Sequence, residues 1–219
     1  VSSQVQAESR CATADMHIAK IQGNCNSSPL TDPKSERYYS NENVTVTGVI
    51  TAVVAPSAKS DKSGFYMQML ERSQTLNQQY TYASSGIWVD YQRTAELTIG
   101  MQACVTGIVF ENYGMTSLIA QQVRVLMPSL EVAAIEINIA ARDRNLRDTL
   151  ERYEGMLVHL NQFMALVVNK ALFFNKRYQR WQLMLSAKQL NLHPHSHYLP
   201  DSIPAMQLAK QNKNNRLYL

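Results

Sequence analysis

An alternation of apolar and polar residues runs through positions 44–126 and predicts a series of short strands. The first predicted strand, 44–54, alternates β-branched and small residues with a period of two. Gly48 within it predicts a bulge or bend of the kind that closes a barrel. Two further strands, 64–69 and 86–91, resemble a hairpin whose connecting loop is long and polar.

Two more predicted strands complete this region, at 103–110 and at 116–120 with an extension over 122–126, and a turn lies between them at 111–114. Five short strands with glycine-bearing bends are typical of a closed barrel of the oligonucleotide/oligosaccharide-binding (OB) type. We therefore predict an OB-fold-like five-stranded barrel over residues 44–128, preceded by a leader and loop segment, 1–43.

Residues 129–219 are predicted to form a second, smaller β-rich unit with one α-helix, so the fold class is mainly β. The helix is predicted at about 143–153, where apolar side chains recur at positions i, i+4 and i+7. Prolines interrupt regular structure over 191–204, and the chain ends in a basic linker. The strands predicted in this unit are 131–139, 156–160, 163–174 and 181–187.

Composition excludes two classes of protein. No window approaches the ~18 consecutive apolar residues of a membrane-spanning helix. Global disorder is excluded because 45% of the 219 residues are hydrophobic. The formal net charge of +4 permits contact with phosphate, but it lacks the dense basic stripe of a dedicated duplex binder.

The three cysteines contain no C-x-x-C pair, which disfavours a cysteine zinc site. Cys11 and Cys25 bracket a short polar segment, and we predict a disulfide between them. Cys104 lies in an apolar strand and is predicted to be a buried, free thiol. Pairing of the first two cysteines implies an oxidising compartment.

Several segments, in this order and spacing, resemble the barrel region of bacterial extracellular nucleases of the endonuclease/exonuclease/phosphatase type. In that family the barrel region is non-catalytic, and a carboxyl-terminal domain cuts DNA with a divalent metal. This sequence has neither the metal-binding Glu nor the paired Asp and His motifs of that domain. The segments are VTVTGV (44–49), GFYMQ (64–68), SGIWV (85–89), the stretch 100–118, RYEGMLV (152–158) and NNRLYL (214–219).

The resemblance implies a secreted, extracellular or periplasmic protein that is not itself an enzyme. It implies no cofactor in this chain, with a divalent metal expected only in a nuclease domain that would follow Leu219. The implied partners are DNA, single-stranded rather than duplex, and that nuclease domain, and no membrane is implied.

One face of the predicted barrel carries the candidate nucleic-acid site. The aliphatic pair Ile87 and Val89 is predicted to face the core, so Trp88 between them faces outward. On the preceding strand, the same alternation places Tyr66 and Gln68 on the outward face. Aromatic side chains on this face can stack bases. The alternative is that Tyr66 and Trp88 pack under the 71–85 loop or against the second unit. The flanking residues Lys62, Arg72 and Arg93 are candidates for phosphate contacts.

Three other features have weaker functional interpretations. Alternating histidines, His193, His195 and His197, can bind zinc or nickel, but the prolines around them favour a plain exposed loop. Basic residues near the end can contact a nucleic-acid backbone or form a solvated linker. The carboxylates of 143–154 alternate with arginines, as on a solvated helix face. The basic residues are Lys210, Lys213 and Arg216; the acidic ones are Asp143, Asp148, Glu151 and Glu154.

From the sequence we therefore predict a non-catalytic, single-stranded nucleic-acid-binding accessory region of a secreted bacterial nuclease. The alternative is a structural or protein-interaction module that supports a neighbouring catalytic domain. A nuclease complete in this chain is disfavoured because no carboxylate pair has a partnering histidine.

Overall fold

A computed structural model of the chain divides it into two compact units. Unit 1 comprises Val1–Ile135 and Arg152–Val158, and unit 2 comprises Glu136–Glu151 and His159–Leu219. All structural statements concern the residues that the structure describes, which are 16–24, 26–31, 38–56, 62–69, 83–127, 130–141, 143–160, 165–177 and 179–219.

Unit 1 contains the predicted five-stranded barrel. Its strands close into a ring in the order β1-β2-β3-β5-β4, which confirms the fold class expected from the sequence. All neighbouring strands are antiparallel except β3 and β5, whose parallel pairing closes the ring. The strands are β1 (Tyr39–Val54), β2 (Gly64–Gln68), β3 (Gly86–Asp90), β4 (Gln102–Glu111) and β5 (Thr116–Met127).

The long strand β1 belongs to both sides of the barrel. Its first part pairs with β4 up to Val49, and from Val49 onward it pairs with β2. Gly48 stands at this transition, and a Cβ there would lie 2.9 Å from the Gln68 carbonyl oxygen. The register shifts between Ile50 and Ala52. The irregularity of β1 therefore lies two residues after Gly48, where the bulge or bend was predicted, and glycine at position 48 allows the two backbones to approach closely.

Alternate residues of the strands fill the barrel. Phe65, Met67, Ile87 and Val89 are fully buried in one apolar cluster, as their phase predicted. The short helix α1 (Ile18–Gln22) contributes two isoleucines to the same cluster. This helix was not predicted, since its five residues lie in a segment interpreted as loop, and β1 likewise begins five residues before the predicted start.

The described part of unit 2 contains a three-stranded antiparallel sheet in the order β10-β9-β8 and two α-helices. The predicted helix is present as α2, and the strands predicted at 163–174 and 181–187 are present as β8 and β9. Their bounds are α2 (Leu146–Glu151), β8 (Leu166–Asn175), β9 (Arg180–Ala187), α3 (Ile203–Asn214) and β10 (Leu217–Tyr218). The short strands β6 (Ile135–Glu136) and β7 (Val158–His159) pair with each other.

The unpredicted helix α3 replaces most of the expected basic linker. Ser202 caps it, with Oγ accepting a hydrogen bond from the Ala205 N–H at 3.4 Å. Pro204 lies in the first turn, where its missing N–H has no intrahelical partner to lose. The sequence prediction treated this proline as a breaker, whereas it helps to start the helix. The strand expected over 131–139 is reduced to the two residues of β6.

Two further observations concern single expectations. None of the described helices has both the length and the hydropathy needed to span a bilayer. Cys104 is 2% exposed, which confirms its predicted burial. It is disulfide-bonded, so the prediction of a free thiol is wrong. Cys11 and Cys25, the pair predicted to be linked, lie outside the described residues.

Candidate nucleic-acid interface

The predicted barrel face has the expected side-chain phase. Tyr66 and Trp88 are direct cross-strand partners on β2 and β3, and their ring centroids lie 4.9 Å apart. Both side chains are on the face opposite the core residues Phe65 and Val89.

Residues 152–158 of the same unit contact the end of that face. The Leu157 N–H donates to Gln68 Oε1 at 2.9 Å, and the Ser84 hydroxyl donates to the Glu154 carbonyl oxygen at 2.5 Å. Gln68 is 3% exposed and Trp88 is 8% exposed. Neither side chain therefore presents an open surface to a base, and the packing alternative describes this face.

A close approach of two glycines lets the segment lie on the barrel. A Cβ on Gly86 would lie within 2.4 Å of the Gly155 backbone, and Gly155 has a φ of 69°. Neither position accepts a side chain without movement of the backbone. The R-Y-E-G-M-L-V motif therefore has a structural role, with Gly155 as the residue that permits contact.

Glu154 links the segment to the barrel electrostatically. Its carboxylate accepts a hydrogen bond from the Thr116 N–H at 2.8 Å. Burial, and secondarily the negative charge of Glu154, raise the pKa of the Tyr66 phenol above its ordinary value of 10.0. The half-buried Tyr66 phenol therefore stays protonated to a higher pH than an exposed tyrosine.

Two of the three cations predicted to flank the barrel face lie just beyond the same paired end of β2 and β3, where Ser63 Oγ donates to Gln92 Oε1 at 2.9 Å. Lys62 and Arg93 are exposed, and Arg72 lies outside the described residues. Since the aromatic residues between them are covered, the structure does not assemble the predicted set into one open site.

A different pair of aromatic residues is exposed, at the end of the β8–β9 hairpin in unit 2. Phe174 and Trp181 are directly opposite each other, so both rings lie on the same face of the sheet. Their centroids are 5.5 Å apart in a T-shaped arrangement. Trp181 is 63% exposed and Phe174 is 43% exposed, which leaves much of both rings accessible to a ligand.

Cationic side chains border this aromatic pair. Lys176, Arg177 and Arg180 are exposed in or beside the turn that joins the two strands. The amide group of the buried Gln182 lies 3.2 Å from Nε and 3.1 Å from Nη2 of Arg180. The Gln182 side-chain oxygen accepts a hydrogen bond from Asn175 Nδ2 at 2.6 Å, so the amide is fixed within the hairpin. We call residues 174–177 and 179–181 the hairpin tip.

The hairpin tip was missed by the sequence prediction, although its composition is distinctive. The stretch 173–181, FFNKRYQRW, interleaves aromatic and basic residues. It was interpreted only as the edges of two strands, since periodicity does not tell an exposed aromatic face from a buried one. The useful signal is the number of cations between the aromatics, because a buried strand end would not retain three of them.

The other predicted features belong to other segments of the chain. His193 and His195 have ring centroids 5.1 Å apart, and His193 Nδ1 accepts the His195 N–H at 3.3 Å. His197 is exposed in the same turn. Within the described ranges, no three His, Cys, Asp or Glu side chains are grouped to hold a metal. Of the basic tail, Lys210 and Lys213 are exposed on α3, and Arg216 precedes β10.

The acidic residues of 143–154 are engaged in local contacts. Asp143 accepts hydrogen bonds from the Ala140 N–H and the Thr149 hydroxyl, at 2.9 and 2.8 Å. Asp148 forms an ion pair with Arg144 at 2.9 Å. Glu151 ends α2, in unit 2, whereas Glu154 binds the barrel in unit 1.

The two units differ in charge. Over its full sequence, unit 2 has 11 Lys and Arg residues and 5 Asp and Glu residues, a formal charge of +6. Unit 1 has 10 and 12 of these residues, a formal charge of −2. The excess positive charge therefore belongs to the unit with the hairpin tip and not to the barrel.

Comparison with known proteins provides no family. No protein-family model matches the chain, and no curated protein matches it. Among solved structures, the hypothetical protein ygiW from E. coli is similar over 38% of this chain and 74% of its own. The identity is 18% and the TM-score is 0.26.

Proposed function

We propose that this chain is a non-catalytic module that binds single-stranded nucleic acid through the hairpin tip of unit 2. The observation that carries this proposal is the exposed pair Phe174 and Trp181 with three cations beside it. Stacking on an aromatic ring contributes ~1–3 kcal/mol per base. Lys176, Arg177 and Arg180 supply the sequence-independent attraction to phosphates.

The aromatic pair favours single strands over duplex. In a duplex the faces of the bases are stacked on one another, whereas an unpaired base can place its face on a side-chain ring. The resemblance to extracellular nucleases adds a proposed context: a secreted bacterial nuclease for which this module holds the substrate strand. The proposed partners are then single-stranded DNA and a neighbouring nuclease domain.

The test is binding of a fluorescently labelled 12-nucleotide oligothymidylate, followed by anisotropy across a salt series. We expect Trp181→Ala to weaken binding about 5- to 150-fold, the equivalent of one lost stacking contact. If the three cations each neutralise one phosphate, log K falls with log salt concentration at a slope of about −2. Since Trp181 is exposed, the variant should keep the Tm of the wild type.

A matched pair of arginine variants distinguishes the hairpin tip from the barrel face. Arg180→Gln should reduce both the affinity and the salt slope, whereas Arg93→Gln should leave both unchanged. A second measurement uses Trp88→Phe, which leaves Trp181 as the remaining tryptophan. Quenching of its fluorescence by the oligonucleotide then reports on binding at Trp181. If Arg93→Gln weakens binding and Arg180→Gln does not, the binding site is on the barrel face. No binding by the wild type at low salt would favour the structural or protein-interaction module.

A further inference from the structure

Unit 2 also contains an open cavity of about 790 Å³ that the proposed hairpin interface does not use. It is lined by the turn that precedes α2, the turn after β9 and the second half of α3. The hairpin tip and the cavity lie at opposite ends of β9. The six residue-to-residue steps from Trp181 to Ala187 span ~20 Å of extended strand.

Hydrogen bonds between the segments hold the walls of the cavity together. Asn215, at the end of α3, pairs with the backbone of Ala187, and Asn191 Nδ2 donates to the Asn212 and Asn215 carbonyl oxygens at 3.3 and 3.0 Å. Asp143 closes the turn before α2 through its bonds to Ala140 and Thr149. Two of the three walls are therefore bonded to each other, and the third is fixed by hydrogen bonds within its own turn.

The lining is cationic. Arg144, Lys188 and Lys210 come from the three different segments and all border the same space, and Arg144 is also ion-paired with Asp148 at 2.9 Å. Asp143 is the one carboxylate among the described lining residues, and its Oδ2 is already occupied by two hydrogen bonds. The cavity therefore favours a ligand with at least one negative charge.

The remaining polar lining consists of side-chain amides. Gln189, Gln207, Gln211 and Asn214 can each donate and accept hydrogen bonds. No aromatic ring occurs among the described lining residues, so this site offers no platform for a base. Amides with cations match a ligand that combines hydroxyl groups with an oxyanion, and the volume lies within the usual range of small-molecule sites.

We propose that this cavity binds a phosphorylated sugar, with the phosphate held by Lys188, Lys210 and Arg144 and the hydroxyl groups held by the amides. The same chemistry is offered by a free sugar phosphate and by the 5′-phosphorylated end of a nucleic-acid strand. The inference rests on the cavity and is independent of the hairpin interface.

Lys188 supports a specific role beyond packing. It is exposed and has a φ of 68°, a left-handed conformation that glycine adopts more easily. The Lys188 N–H donates to the Ala165 carbonyl oxygen at 2.9 Å, a backbone contact that does not depend on the side chain. Lys188→Gly should therefore fold with a Tm no lower than that of the wild type, while removing one cation from the cavity.

The experiment is isothermal titration of the whole chain with ribose 5-phosphate, with ribose and inorganic phosphate as comparison ligands. We expect ribose 5-phosphate to bind, ribose not to bind, and inorganic phosphate to bind more weakly than ribose 5-phosphate. Lys188→Gly and Lys210→Gln should each weaken binding about ten- to a hundredfold. Lys213→Gln, on the same helix but outside the lining, is the matched control and should bind as the wild type.

Two oligonucleotides that differ only in a 5′-phosphate separate the two sources. If the strand end is the ligand, the phosphorylated oligonucleotide binds more tightly than the unphosphorylated one, and Lys210→Gln removes that difference. If the free sugar phosphate is the ligand, the two oligonucleotides bind equally, and Lys210→Gln weakens the binding of ribose 5-phosphate alone. Trp181→Ala should not change ribose 5-phosphate binding, so failure of the hairpin proposal is distinguishable from failure of this one. Equal binding of ribose and ribose 5-phosphate, no detectable heat, or full affinity in both lysine variants would overturn the inference.

Discussion

The side chain of Asn215 replaces a backbone partner of Ala187. Its Oδ1 accepts a hydrogen bond from the Ala187 N–H at 3.3 Å, and its Nδ2 donates to the Ala187 carbonyl oxygen at 3.1 Å. In the β10–β9 register, Leu217 pairs with Leu185. In the same register, Asn215 would lie opposite Ala187. Its side-chain amide therefore makes the two hydrogen bonds that a backbone N–H and carbonyl would make at this position of the antiparallel ladder.

Asn215→Ala should destabilise unit 2 by about 1–3 kcal/mol, because it leaves the N–H and carbonyl of the buried Ala187 without this partner. The measurement is urea denaturation followed by circular dichroism. Asn214→Ala is the control, since the structure assigns the neighbouring side chain no hydrogen bond. Equal losses in the two variants would show that the paired amide has no special role.

Gly155→Ala should release residues 152–158 from the barrel. The φ of 69° strains any L side chain, and the new Cβ would meet the Ile87 nitrogen at 2.9 Å. We expect a loss of about 2–4 kcal/mol from strain and displaced contacts together. Gly114→Ala, at an exposed glycine with a φ of 80°, tests the strain alone and should cost less. A Gly155→Ala protein as stable as Gly114→Ala would contradict the close packing of the two backbones.

The sequence predicted the barrel well and its covered face poorly, for one physical reason. Alternation along β2 and β3 tells which side chains face the core, and Phe65 and Ile87 are indeed buried there. It cannot tell whether the opposite face meets water or another segment. Gln68 Oε1 is hydrogen-bonded to the backbone N–H of Leu157, which is 89 residues away along the chain. Every residue except proline has a backbone N–H, so the sequence gives no signal for this contact.

Helix α3 was missed for a different reason. Only Ala205 is buried along its length, so the helix lacks the apolar stripe on which periodicity depends. It is fastened to the rest of unit 2 by amide side chains, as in the bond from Asn212 Nδ2 to the Leu192 carbonyl oxygen at 2.7 Å. Such hydrogen bonds depend on tertiary placement and have no characteristic spacing. Ser202 and Pro204 were the available signals for its start.

Cys104 should be recovered in a disulfide-linked peptide when the protein is digested without reduction. The chain has three cysteines, so we expect one bond to Cys11 or Cys25 and one alkylated thiol per chain. Either partner closes a long loop, for which the loop-entropy model estimates about 4 kcal/mol. Reduction should therefore lower the Tm. Three alkylated thiols, or a peptide linking Cys11 to Cys25, would contradict this assignment.

The raised pKa of Tyr66 makes part of the stability depend on alkaline pH. The folded state binds the phenolic proton more tightly than the unfolded state, so this contribution is complete below pH 10. It is lost as the pH rises from there through the folded pKa. The measurement is Tm from pH 8 to 11 for the wild type and Tyr66→Phe. Tyr66→Phe should lose less stability over that range, and Glu154→Gln should show part of the same effect. Parallel curves for the wild type and Tyr66→Phe would exclude the linkage.

The purified chain should leave plasmid DNA intact in magnesium, manganese or calcium. Hydrolysis of a phosphodiester with a bound metal requires carboxylates that are placed to hold the ion. Here Asp143 is bonded to Ala140 and Thr149, Asp148 is paired with Arg144, and Glu154 accepts the Thr116 N–H. A gel assay over several hours, with a known metal-dependent nuclease as the positive control, measures this directly. Metal-dependent nicking that co-elutes with the folded chain and disappears in Asp143→Asn or Glu154→Gln would assign those carboxylates a catalytic role. Nicking that does not co-elute with the folded chain would indicate a contaminating enzyme.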